Sequence, residues 1–289
     1  MYDSIEWLHV EPTTRCNAWC SSCGRNNRGY GLTNFVLEDL DPIRLEQVVA
    51  KMPNLKTVQF CGNLGDPCAS KLIDEQLKIM ENRDFKFQIH TNGSLRSESW
   101  WYNLAKMFGG RLTVFFAIDG LEDTHKIYRQ ATNWHKIMQN AKSFIDAGGN
   151  AVWQFIPFAH NEHQIKDCMK LSTSMGFKRF YFEKNARYFG EAYDYRSGDP
   201  VDIQPWSKHD QQWERKGKIL NKKTGDNVTK KIVEKKNCMH LVYPSLFLNA
   251  SGVIAPCCYF EQTPVVEGQI ENSIDTKNYI DTCIRACGS

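Results

Sequence analysis

The sequence predicts an α/β fold, an open, partial (β/α)6 barrel whose working face lies at the C-terminal ends of parallel strands. Three observations predict it. From residue 5 to about 183, short β-rich runs alternate with helix-patterned segments. Two of the helical segments stop at glycines, Gly148-Gly149 and Gly176, where a helix C-terminus accepts them. Six repeats, finally, are too few for eight-fold closure.

The strands are expected at 5–10, 55–60, 85–90, 111–118, 150–157 and 177–183, most of them rich in the β-branched and aromatic residues that suit a buried sheet. Helices fit between them. The first, 42–51, follows Asp41 as candidate N-cap; the second, 70–83, spaces Leu72, Ile73, Gln76, Leu77 and Met80 near helical period. The third, 97–108, opens with Ser97 as a cap, and 134–147 and 162–175 complete the set. Beyond residue 185 the pattern dissolves into Gly, Asp, Lys and Asn. The expected division is a barrel at 1–184, a charged connecting segment at 185–237 and a cysteine-bearing domain at 238–289.

Composition narrows the class. The 289 residues are 42% hydrophobic and 12% aromatic, with 36 Lys+Arg against 33 Asp+Glu, which excludes a disordered chain. Mean hydropathy is −0.50, and no apolar run approaches the length of a bilayer span. The opening MYDSIEWLHVEP lacks the basic and apolar blocks of a secretory signal, so a cytoplasmic location is expected. Residues 215–236 carry nine Lys/Arg against two acids and leave the remainder slightly acidic. That stretch reads as a solvated loop or hairpin, or a dock for an acidic peptide or phosphate; no nucleic-acid-binding motif accompanies it.

Eleven cysteines cannot all pair internally, and most gather near the two ends, so metal or cluster ligation is the leading explanation. Cys61, Cys68 and Cys168 lie apart and read as small buried side chains. Cys16, Cys20 and Cys23, spaced Cys-x3-Cys-x2-Cys, follow the first strand directly. A four-iron cluster held by three thiolates keeps one iron open to an exogenous chelator. Zinc is the rival, and would need a fourth ligand, for which His9 is nearest.

This triplet resembles that of the radical S-adenosylmethionine (SAM) enzyme superfamily. Further signals occur in order at strand ends: CGNLGDP at 61–67, HTNGS at 90–94, FAIDG at 116–120, then Tyr128-Arg129 and Asn161. The resemblance covers residues 5–183 and implies a [4Fe-4S] cluster on Cys16, Cys20 and Cys23 whose open iron binds SAM. It implies reductive cleavage of SAM to a 5′-deoxyadenosyl radical that takes a hydrogen atom from substrate, with an electron donor such as flavodoxin or ferredoxin. Gly65 and Asp66 would lie along the methionine end of SAM, Asp66 accepting from its ammonium; Asn92, Asp119 and Arg129 are candidates for ribose or carboxylate contacts. Three positions depart from the family pattern. Ser22 stands where an aromatic residue often precedes the third cysteine, with Trp19 a candidate substitute. Asn63 to Asp66 replace the usual Gly-Glu, and Ala117 replaces a common ribose-binding serine.

At the other end, Cys238-x13-Gly252-x4-Cys257 resembles the hairpin that opens the auxiliary-cluster extensions called SPASM and twitch, with strands around 246–248 and 253–254. With Cys283 and Cys287 it offers four thiolates, enough for one closed auxiliary [4Fe-4S] cluster as in the twitch form. Cys258 is an alternative to Cys257, His240 a minor one, and zinc would suit the same four.

Two enzyme readings follow: maturation or oxidation of a peptide or protein side chain, and oxidation, dehydration or epimerisation of a small sugar or aminoglycoside-like metabolite. A third reading is a non-catalytic iron–sulfur or zinc protein. A closed second cluster would accept an electron from a substrate radical, whereas epimerisation needs a hydrogen donor, for which Cys61, Cys68 and Cys168 are available. No general acid or base is assigned; Glu183, His90 and Tyr188 are strand-end residues that could face the cavity.

Overall fold

The computed structural model describes residues 2–21, 23, 25–26, 36–183, 190–207 and 245–255. Cys238, Cys257, Cys258, Cys283, Cys287, His240, Ser22 and Tyr188 lie outside the described residues, as does the basic stretch 215–236.

All six expected strands form, in sequence order and mutually parallel: β1 (Trp7–Val10), β3 (Thr57–Phe60), β4 (Lys86–Thr91), β5 (Leu112–Ala117), β7 (Asn150–Phe155) and β8 (Arg179–Phe182). Five of the helices between them are those expected: α1 (Pro42–Ala50), α2 (Ile73–Glu81), α3 (Glu98–Phe108), α5 (Trp134–Asp146) and α6 (Ile165–Met175). Their caps follow from sequence. Asp41 accepts from Ile43 N, and Ser97 from Trp100 N. The second helix starts later than expected because Pro67–Ala69 forms a separate turn capped by Asp66. A sixth helix, α4 (Glu122–Tyr128), escaped prediction because it buries Thr124, His125 and Tyr128, a face without apolar periodicity.

Alternation within each strand sorts two faces. Toward the helices run rows of apolar side chains, among them Leu248, Val10, Phe60, Ile89, Val114 and Ala151 on successive strands. Trp101 of α3, fully buried, packs on Phe116 and Phe144, tying α3 and α5 to the sheet. The opposite face is polar by comparison: His9, Gln59, Gln88, His90, Thr113, Gln154 and Tyr181.

The sheet gains two strands on its β1 edge. β11 (Ser245–Leu248) pairs parallel with β1, Leu8 opposite Leu246, and β12 (Ile254–Ala255) returns antiparallel to β11. The expected hairpin therefore exists, turning at Asn249–Gly252, where Gly252 adopts φ +82, and it lies in the main sheet. Two small ribbons complete the described fold. β2 (Trp19–Cys20) pairs with β6 (Arg129–Gln130), and β9 (Gly190–Tyr193) with β10 (Pro200–Ile203). The second ribbon occupies a stretch the composition had marked as connecting segment, because strands this short leave little periodic signal.

Truncating one of the two fully buried tryptophans among the described residues tests this core. Trp101→Ala is expected to lower unfolding free energy by about 3–5 kcal/mol, read from denaturant melts, whereas exposed Tyr102→Ala on the same helix changes it by about 0.5 kcal/mol or less.

Candidate functional site

The loop after β1 carries the Cys16, Cys20 and Cys23 side chains at the C-terminal edge of the sheet. They pack with Ala18, Tyr128, Ile156, Phe158, Ala192 and Ile203 into a small apolar cluster separate from the main core. Burial pushes the Cys16 thiol up, and the neighbouring Asp66, Cys20 and Cys23 push the same way. The three thiols share one apolar neighbourhood, Cys20 buried and Cys16 and Cys23 partly so. Cys16 therefore ionises there only against positive charge, such as a metal group supplies. Among the described residues no three His, Cys, Asp or Glu side chains converge tightly enough for a single metal ion. His9, the candidate fourth zinc ligand, instead turns its Nε2 to the Cys61 carbonyl at 2.5 Å.

Loops from the next strands hold this one in place. Gly65 follows β3 so closely on residues 13–15 that a Cβ there would lie 1.8 Å from the Thr13 carbonyl oxygen. Asp66 N donates to Arg15 O at 2.8 Å, and the buried Glu11 carboxylate accepts from Leu64 N and Gly65 N. Arg25, two residues past Cys23, donates to the Thr14 and Leu64 carbonyls.

Asp66 itself is 5% exposed and accepts from Cys68 N, Thr91 Oγ1, Asn92 N and Asn92 Nδ2, all at 3.1 Å or less. Burial raises its pKa, and the hydrogen bonds from Asn92, Thr91 and Cys68 oppose the rise. Asn92 Nδ2 also donates to Asn17 Oδ1 at 3.0 Å, and Asn17 Nδ2 donates to Ser94 Oγ at 2.8 Å. Asn17 sits between Cys16 and Cys20, so the cysteine loop is fastened to the β4 loop by paired amides.

On the far side, Asp119 after β5 is wholly buried; its Oδ1 accepts from Ile156 N and its Oδ2 from Arg129 Nε, both at 2.7 Å. Asn161 donates to the Asp119 and Ile156 carbonyls and accepts from Phe158 N, bracing the β5 and β7 loops. Arg129, aligned by this ion pair and by the β2–β6 ribbon, places Nη1 3.7 Å from Cys20 Sγ. Trp19, whose orientation sequence could not give, lies beside Tyr195 with ring centroids 6.5 Å apart.

All eight residues expected in the first site, Cys16, Cys20, Cys23, Gly65, Asp66, Asn92, Asp119 and Arg129, therefore border one region. Asn17 and Glu11 were missed, and Ser94 entered only as the last residue of the HTNGS run; for Glu11 the hint was an acid directly after an apolar strand. Of the three scattered cysteines, Cys68 and Cys168 belong to the main core, as the bland reading expects, while Cys61 at the end of β3 is partly exposed.

The geometry defines an open, parallel β/α half-barrel with a three-thiol loop at its C-terminal mouth. That fold is shared with the structure of SuiB from Streptococcus suis bound to S-adenosylmethionine, at TM-score 0.65 and 18% identity, covering 98% of this chain and 68% of that one. It is shared also with anSMEcpe bound to AdoMet and the Cp18Cys peptide, at TM-score 0.59 and 13% identity, covering 94% and 81%. At these identities the likeness is one of fold. A tungsten-containing aldehyde ferredoxin oxidoreductase cofactor-modifying protein of Pyrococcus furiosus is 26% identical over 130 residues, 43% of this chain and 33% of that protein. The match thus spans about a third of that relative's length. No protein-family model matches the chain.

Two predictions follow from the loop and its histidines. Gly65→Ala is expected to leave the far-ultraviolet spectrum unchanged while lowering the metal bound per chain after anaerobic reconstitution, measured by elemental analysis. Burial lowers the pKa of His125 to about 3 and of His90 to about 4. Unfolding restores their ordinary value near 6.5, so the stability from their neutral burial is complete above that pH and is lost as pH falls toward the folded values. The slope is about 1.4 kcal/mol per pH unit per histidine; His125→Gln should flatten it in denaturant melts between pH 6.5 and 4.5.

Proposed function

We propose that the chain is a radical SAM enzyme whose Cys16, Cys20 and Cys23 hold a [4Fe-4S] cluster with one iron left for SAM. The observation that carries this reading is the three-thiol loop, buried at the mouth of the half-barrel and fastened there by the Asn17–Asn92–Asp66 network. The bound cluster and SAM would supply hydrogen-atom abstraction from substrate. The chain's own residues supply the setting. Arg129 lies against Cys20 Sγ, where its charge favours the thiolate, and Asp119 orients it. Gly65 brings backbone against the cysteine loop, and Asp66 and Asn92 fix the neighbouring turn; SAM would lie along this edge. Because both carboxylates already accept several donors, Asp66 and Asp119 act here chiefly by positioning.

The substrate we propose is a peptide or protein side chain. Supporting it is the shared fold with SuiB bound to its precursor peptide SuiA, at TM-score 0.63 and 18% identity, covering 98% of this chain and 67% of that one. A second, auxiliary [4Fe-4S] cluster on Cys238, Cys257, Cys283 and Cys287 of the twitch kind would make the reaction an oxidation, giving an oxidoreductase or maturase supplied with electrons by a flavodoxin or ferredoxin. Its support is the spacing of those cysteines around the β11–β12 hairpin and its Gly252 turn.

Anaerobic reconstitution tests both clusters. The expected result is about eight irons per chain, as two four-iron clusters need, with SAM cleavage on reduction. Replacing Cys16, Cys20 and Cys23 by Ala should remove about four irons and all cleavage. Cys283→Ala with Cys287→Ala should remove the other four and leave cleavage intact. Zinc in place of iron, with no cleavage, overturns the reading.

A further inference from the structure

On the inner face of the half-barrel, two residues below the Asn92 turn, a hydrogen-bonded chain crosses three strands. Gln154 of β7 donates from Nε2 to Glu183 Oε2 at 3.0 Å, and its Oε1 faces His90 Nδ1 of β4 at 3.4 Å. A carboxylate only accepts, so Glu183 fixes which end of the Gln154 amide is which. The amide oxygen then requires a proton on His90 Nδ1, and His90 Nε2 is left as an acceptor. The link is diagonal. Gln154 pairs with Ala117 on β5, and that residue's single methyl leaves the route to His90 open.

The surroundings favour a neutral ring. His90 stacks on Phe115 with centroids 4.1 Å apart and planes 5° from parallel, and burial keeps its pKa near 4. Phe115 meets Tyr181 edge-on, and the Arg179 guanidinium lies over both rings. His9 of β1 and the amides Gln59 and Gln88 continue the same face. The face offers neutral amides and aromatic surfaces, with Glu183 and Arg179 at one end.

We propose that His90, Gln154 and Glu183 form a substrate-recognition ladder that binds a planar amide, His90 Nε2 and Glu183 accepting from its N–H groups. His90 and Glu183 touch the guest; Gln154 is a positioning residue that fixes the imidazole tautomer. The inference deepens the peptide reading above, since a backbone or carboxamide group is the chemistry the ladder reads, and it stands on the ladder's geometry without any cluster.

Nitrogen-15 NMR of histidine-labelled full-length protein, anaerobically purified with whatever metal it carries, tests it. His90, assigned by its loss in His90→Gln, should show the neutral form with Nδ1 protonated. Adding N-acetyl-serine amide should shift its Nε2 signal, whereas methyl glucoside should not. Gln154→Leu should abolish the tautomer preference, an effect a merely structural residue would not have. Glu183→Gln, whose amide donates as well as accepts, should weaken the tautomer preference and lower N-acetyl-serine amide binding by about tenfold or more. A proton on Nε2 in the free protein, no shift with the amide, or a shift with the glucoside equal to or larger than that with the amide overturns the proposal. A protein that binds the amide yet neither holds iron nor cleaves SAM would instead sink the radical-enzyme reading and leave the ladder standing.

Discussion

The loop that carries the three thiols is only as rigid as the groups that grip it. Here the grip is the buried carboxylate of Asp66, which accepts four donors from its own turn and from the turn after β4. Through Asn92 it reaches Asn17 inside the cysteine loop. Hydrogen bonds to a buried charge are among the stronger ones, and each leaves an expensive orphan if its partner is removed. The placement of the thiols therefore depends on a polar knot that holds no metal ligand.

A second knot works from the other side. Asp119 and Arg129 form an ion pair with almost no solvent access, and such pairs seldom add net stability over an apolar replacement. What this one achieves is orientation: it aims a guanidinium at Cys20 and, through Ile156 N and Asn161, ties the β5 loop to the β7 loop. Both knots lie at the C-terminal ends of strands, where successive loops of a parallel sheet converge and residues far apart in sequence become neighbours.

The six strands and most helices were legible because the rows of apolar side chains facing the helices impose an alternation that survives in the sequence. Gly65 and Asp66 were legible as a motif, but with a different emphasis: the motif suggests contact with a bound ligand, and the structure adds that both first serve to seat the cysteine loop. Asn17 was illegible, since an asparagine between cysteines carries no periodic signal and its partners Asn92 and Ser94 lie more than seventy residues on. Helix α4 was hidden because its buried face is polar. The β9–β10 ribbon was hidden because its two strands are only four residues each, with Gly and Pro in them.

The pairing of β11 with β1 has a consequence for how the chain reaches its final shape. Residues 7–10 are synthesised well over two hundred peptide bonds before residues 245–248, and until those are made one side of the segment stays without its hydrogen-bonded neighbour. During that interval a short apolar strand presents bare amides along an open flank, the kind of template on which nascent chains associate wrongly. Closing so long a loop is slow, so this flank of β1 is the last part of the sheet edge to be covered.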